Sequence, residues 1–210
     1  MDGGVSAFEK NWKTYDAWYD RNPSLYSSER KALAGLVPGG RGLELGVGTG
    51  RFADPLSVTF GVDPAFKMIK LAEKRGVTVV QGRGEELPFL DESFHFVLIV
   101  LTLCFVESPE TVLKEARRVL KRGGQIILGI LNRKSALGRL YQQKKISSIF
   151  YGNARFYSSE EVIALIRSVR FRFESSFQTI LNYPLVTDRA EDPVSGWDRG
   201  GFVAIRATKQ

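Results

Sequence analysis

Apolar and polar positions follow three successive rhythms along the chain. Over residues 6–37 the rhythm is helical: Phe8, Trp12, Tyr15, Trp18 and Tyr19 recur near a 3.6-residue period, with charges between them. Asn22-Pro23 interrupts it. A second helix, "SSERKALAGL", opens on a serine cap, and Pro38-Gly39-Gly40 ends it. From there strands and helices alternate. "RGLELG" is a short strand entering a glycine turn, and "VTFGVD" is a second strand. "PAFKMIKLAEKRG" is a helix with Pro64 at its start and Gly76 at its end, and "VTVVQG" is a third strand. The apolar run "SFHFVLIVLTL" predicts a strand buried on both faces, as in a parallel sheet. "SPETVLKEARRVLKRGG" predicts a helix with a Val112, Leu113, Ala116, Val119, Leu120 stripe, stopped by Gly123-Gly124, and "QIILGIL" a fifth strand. Such alternation argues for an open α/β sheet with right-handed crossovers. After Leu131 the rhythm breaks. Residues 132–157 read as an irregular, lid-like insertion, followed by the helix "SSEEVIALIRSV" and two strands, "RFESSFQTI" and "GGFVAIRATK".

The length of 210 residues and a 43% hydrophobic content suit a single domain, 1–210, in which 1–37 forms a helical cover. The longest apolar run, Phe96 to Leu103, is too short to span a membrane, so no membrane insertion is expected. The N-terminus lacks an apolar signal core, and the single cysteine, Cys104, excludes an internal disulfide framework. These features predict a cytoplasmic protein, monomeric or homodimeric. Its net charge of +7 is read equally as solvation and as attraction for anionic partners. With one histidine and one cysteine, no His/Cys metal site is available, and no metal is expected. His95 and Cys104 are read as structural.

Chemistry concentrates in "LELGVGTGRF". Gly46, Gly48 and Gly50 let the backbone approach a ligand where a Cβ would clash. A dinucleotide fingerprint, G-x-G-x-x-G, needs glycine at position 51, where Arg stands. No G-K-[ST] follows, so this is not a P-loop. Glu44 would repel a pyrophosphate but suits a cationic group. Asp63, ending the second strand, can accept from both hydroxyls of a ribose. A ribose together with a cationic amine describes S-adenosylmethionine.

On these residues the chain resembles the class I S-adenosylmethionine-dependent methyltransferases of the ubiquinone-methyltransferase-like, "methyltransferase 11" type. "LELGVGTGRF", "GVDPAFKM", "GRGEELPFLDESFHFVLIV" and "LCFVESPETVLKEARRVLKRGGQIILG" carry the resemblance, from about Gly42 to Gly129. It implies a Rossmann-like, seven-stranded, mostly parallel sheet of order 3-2-1-4-5-7-6, the last strand antiparallel, with helices on both faces. It implies S-adenosylmethionine as cofactor and S-adenosylhomocysteine as product. Glu44, Leu45, Gly46, Gly48 and Gly50 would underlie the methionine part, and Asp63 would hold the ribose. Pro64 with Ala65, and Gly84 with Glu85, would border adenine; Leu101 and Thr102 would face the sulfonium. Arg83 stands where the family often has an adenine-binding Asp, leaving a backbone amide near Gly84 or Glu85 for that contact. Many members carry a His pair where Cys104 and Phe105 stand, so a histidine base is missing here.

The acceptor side is less specified. Tyr15 and Tyr19 are read as core or, by resemblance, as pocket lining under the helical cover. The insertion holds six basic residues, Arg133, Lys134, Arg139, Lys144, Lys145 and Arg155, with interleaved aromatics and no acid. It is either a solvated face or a lid that attracts an anionic substrate. Asn132, Arg155 and Tyr157 join Tyr15 and Tyr19 as substrate candidates, and no catalytic base is assigned. The expected activity is in-line methyl transfer to a small molecule. Three alternatives stand: an RNA or protein methyltransferase, weakened because "LTLCFVESP" lacks the Asn/Asp-Pro-Pro-aromatic turn of amino-methylating nucleic-acid enzymes; a non-catalytic S-adenosylmethionine-binding regulator; and a nicotinamide oxidoreductase, weakened by Arg51.

Overall fold

The computed structural model describes residues 3–181 and 189–210; residues 1 and 2 of the expected cover lie outside them. The cover is two helices, α1 (Gly3–Arg21) and α2 (Pro23–Ala34). The expected serine cap is replaced by an earlier start. Pro23 occupies the first turn, and the Asn22 side chain donates back to the Trp18 carbonyl instead of capping.

Eight strands form one sheet: β1 (Gly42–Leu45), β2 (Phe60–Asp63), β3 (Thr78–Gln81), β4 (Phe94–Val100), β5 (Leu120–Leu131), β6 (Phe171–Thr179), β7 (Val194–Ser195) and β8 (Phe202–Lys209). Their order is β3-β2-β1-β4-β5-β8-β6-β7. The first five run parallel, and β8 lies antiparallel between β5 and β6. The order matches the expected one with β8 as the seventh strand. The addition is two-residue β7, which pairs Ser195 with Phe177 and Val194 with Gln178.

The apolar run in β4 divides between two cores. Val97 and Ile99 face α4 (Pro109–Val119) and α6 (Ser159–Ser168), while Phe96, Leu98 and Val100 face α2, α3 (Phe66–Lys74) and α5 (Ala136–Lys144). A strand covered on both faces needs apolar residues at every position, so alternation is absent. Two boundaries differ from the periodicity. Helix α4 stops at Val119, and Leu120 is already extended and paired with Phe94. The Gly123-Gly124 pair therefore sits inside an irregularity of β5, with Gly123 at φ +69°, rather than ending the helix. Strand β4 ends at Val100, and Leu101 turns away at φ +53°. The insertion is more ordered than expected: Ser135 caps α5 by accepting from the Gly138 amide.

Candidate active site

A cleft of about 860 Å³ lies at the carboxyl ends of β1, β2 and β4. Leu45, Gly46, Gly48, Asp63, Pro64, Gly84, Glu85, Leu101 and Thr102 all line it, so nine of the expected cofactor positions meet there. Gly46 has φ +70°, and a Cβ on it would lie 2.3 Å from the Thr102 side chain. The turn can pass the end of β4 only without a side chain. Asp63 closes the floor. Its Oδ2 accepts from the Gly48 amide at 3.0 Å and its Oδ1 from the Ala65 amide at 2.9 Å. Burial pushes its carboxyl up to about 6, against the pull of those two donors. Both oxygens keep a lone pair for a further donor.

Two expected residues stand back from the cleft. Gly50, at φ +82°, faces α3, where an added Cβ would lie 3.1 Å from Ala72 Cα. Glu44 is buried beneath the turn; Oε2 has no hydrogen-bond partner, and burial, then the charge of Asp63, raise its carboxyl well above the ordinary value despite a bond from the Ala53 amide. Arg83 lines the cleft and pairs with Glu107 at 2.9 Å.

Arg51 has a role that sequence reading missed. It was notable only for replacing a glycine, yet it fastens α1 over the glycine turn. Its guanidinium meets both Asp16 oxygens, at 2.9 and 2.8 Å, and both Asp20 oxygens at 2.8 Å. Arg75, after α3, meets Asp16 from the other side at 3.0 Å. Burial alone would raise the Asp16 carboxyl; the bonds from the two arginines win and hold it far below the usual range. Asp16 and Asp20, one helical turn apart before an Arg-bearing turn, are the signal that could have shown this.

A second cavity, about 760 Å³, lies between α1, α2 and α5. It shares Tyr15, Leu101 and Phe105 with the cleft, and Tyr19, Trp18 and Tyr141 add to its aromatic wall. The Tyr15 and Tyr19 hydroxyls lie 2.8 Å apart, and burial raises both well above the usual tyrosine value. Tyr157 instead borders a smaller cavity behind Leu101, with Cys104, whose thiol burial pushes up to about 12. Asn132 and Arg155 line none of these cavities. Asn132 is buried and holds the turn into α5, its carbonyl accepting from Ser135 and its Oδ1 from the Lys134 amide. The Arg155 guanidinium lies over the Tyr157 ring at 5.2 Å. The other basic residues of the insertion also stay outside: Arg133 and Lys134 pair with Glu161 and Glu160 of α6. At the opposite end of the sheet, His95 Nδ1 accepts from the Arg41 amide. Among the described residues, no cluster of His, Cys, Asp or Glu is arranged to hold a metal, and no helix is long and apolar enough to cross a membrane.

A doubly wound sheet, a glycine turn over its switch point and an acid ending the next strand define a nucleoside-binding α/β enzyme. The family described as "Methyltransferase domain" matches residues 43–128. A crystal structure of a Thermotoga maritima S-adenosylmethionine-dependent methyltransferase, described as a possible histamine N-methyltransferase, superposes with a TM-score of 0.94 at 47% identity, covering 98% of this chain and 99% of that one. An uncharacterised protein of Methanocaldococcus jannaschii is 47% identical over 98% of this chain and all of its own length. The demethylmenaquinone methyltransferase of Bacillus velezensis is 30% identical, over 57% of this chain and 59% of its own. The chain belongs to the S-adenosylmethionine-dependent methyltransferases, with S-adenosylmethionine as cofactor and S-adenosylhomocysteine as product.

Proposed function

We propose that the enzyme methylates a small molecule seated in the aromatic cavity, beside a cofactor held in the cleft. The carrying observation is the shared wall: Tyr15, Leu101 and Phe105 border both spaces. The cleft fits the cofactor on its own residues. Gly46 leaves room that a Cβ would fill, and Asp63 offers a carboxylate at ribose position. Bound there, S-adenosylmethionine supplies an electrophilic methyl group on a positively charged sulfur. Asp63 accepts ribose hydroxyls, the Gly46–Gly48 backbone underlies the methionine portion, and the Gly84–Glu85 backbone borders adenine. Leu101, Thr102 and Phe105 exclude water from the space between donor and acceptor, while the ring walls of Tyr15 and Tyr19 orient the acceptor. Helix α1 and residues 132–157 act as a cover and lid within one domain.

The named relatives include a possible histamine N-methyltransferase and a quinone methyltransferase, which supports a small acceptor without choosing the atom. A macromolecular acceptor is disfavoured because the cavity is enclosed by α1, α2 and α5 and the basic residues of the insertion lie outside it. The test uses Thr14, which is exposed yet lines the cavity. Thr14→Trp should narrow the entrance and cut labelled-methyl transfer to a pool of small acceptors by about tenfold or more, with S-adenosylhomocysteine affinity kept. Full transfer by this variant, or label entering RNA or protein instead, overturns the reading.

A further inference from the structure

Among the described residues, Glu29 is the one acid in the wall of the aromatic cavity. It sits on the inner face of α2 beside Ser28, Ala32 and Leu33, and is 2% exposed. Its Oε2 has no hydrogen-bond partner among the described residues. Burial, unopposed by any donor, pushes its carboxyl up to about 8. A buried, unpaired carboxylate is costly, and a leucine or glutamine there would be better tolerated by the core.

Among the described residues, the neighbouring basic side chains are engaged elsewhere. Arg30, next along the helix, lies over the Tyr26 ring at 5.4 Å, and Lys31 pairs with Asp192 at 2.6 Å. Ser28 donates to Ser24 and accepts from the Glu191 amide. Arg21, the cationic residue of the cavity wall, is exposed, and its guanidinium donates to the Ala17 and Thr14 carbonyls of its own helix. The acid is therefore left facing a space walled by leucines and by aromatic side chains, Tyr15, Trp18, Tyr19, Tyr141 and Tyr151 among them. Ring faces attract organic cations and give little to anions.

We propose that Glu29 anchors a positively charged group of the methyl acceptor, making the substrate class organic amines and ammonium compounds. This rests on the reading of the aromatic cavity as the acceptor site. It replaces the anionic substrate suggested by the basic insertion, whose charges meet Glu160 and Glu161 or lie outside both cavities. Glu29 is a positioning residue: it holds the cationic end of the acceptor so that another part of the molecule lies at the Leu101 wall. In the empty protein burial keeps the acid largely protonated below about pH 8, and a cationic group entering the cavity gives its ionised form a partner.

Charge-paired probes test this by calorimetry on the wild-type protein saturated with S-adenosylhomocysteine: 2-phenylethylamine against 2-phenylethanol, and 1-aminopentane against 1-pentanol. At least one amine should bind about tenfold more tightly than its neutral isostere, the equivalent of one ionic contact. Glu29→Gln, nearly isosteric but unable to ionise, should abolish that preference and leave S-adenosylhomocysteine affinity unchanged. No preference in either pair, or a preference that survives in Glu29→Gln, overturns the proposal. The two readings fail separately. Methyl transfer confined to neutral acceptors would sink the Glu29 assignment and keep the enzyme reading. Glu29-dependent amine binding without any methyl transfer would do the reverse.

Discussion

Asp63 and Gly46 carry the cofactor side of the account, and each makes a measurable claim. Removing the acid takes away a charged acceptor for two hydroxyls, so Asp63→Ala should weaken S-adenosylhomocysteine binding by about 10- to 100-fold. Because burial pushes Asp63 up to about 6, its ionised form dominates only above that pH. Cofactor affinity should therefore be level above pH 7 and fall as the pH drops through 6, and Asp63→Asn should flatten that profile; a pH series of titrations checks both. Gly46→Ala combines a positive φ with a clash against Thr102 and should cost about 2–4 kcal/mol of stability, seen in chemical denaturation. Both residues were legible in the sequence, because their spacing from a strand end fixes their place in an α/β sheet. Glu29 was not. Between Ser28 and Arg30 it reads as an ordinary surface charge, and only the packing of α2 in the fold turns it inward.

At the scale of elements, α1 is held over the cleft by ionic contacts as well as by its aromatic face. Asp16, with about 15% of its side chain exposed, is shared by Arg51 and Arg75. Asp16→Asn leaves both arginines short of a charge, and should cost about 2 kcal/mol, well under the figure for a fully buried pair. For a chain of this size that lowers the melting temperature by roughly 4–8 °C. Cofactor affinity should fall with it, since Phe8 and Tyr15 of α1 line the cleft. An unchanged melting temperature would show that the clasp carries no load. Helix α2 makes the opposite claim. Glu29 titrates higher in the folded chain, near 8, than its ordinary value of 4.5. Its contribution to stability is thus present below pH 4.5 and lost as the pH rises through 8. Glu29→Gln should be more stable than wild type at pH 8.5, with the difference shrinking toward pH 4.5; a constant difference across that range would contradict the burial of an ionisable acid. The rhythm of the chain shows both helices and every strand except β7, but misplaces three ends. A proline at the first turn, a left-handed Leu101 and a glycine-bearing strand irregularity are tertiary outcomes that periodicity does not register. The insertion reads as irregular because the rhythm breaks after Leu131, and it reads as strongly basic because the acids that pair with Arg133 and Lys134 lie in α6, beyond the stretch itself.

For the whole molecule, the donor half of the site lies in a stretch with a strong local signature, β1 to β5, and was readable for that reason. The proposed acceptor cavity is assembled from α1, α2, the turn after β4, β5 and α5, elements separated by more than 100 residues. No local spacing encodes such a cavity, and along the chain only its aromatic residues stand out. The nicotinamide alternative makes a simple contrast: S-adenosylhomocysteine should raise the melting temperature, and NAD should not. The most direct measurement is a labelled-methyl transfer assay with the wild-type protein and a broad panel of small amines, alcohols, thiols and acids, run beside RNA and protein. The account predicts label in a small molecule, with amines foremost. Label in a macromolecule alone, or tight cofactor binding with no transfer to any acceptor, would contradict it.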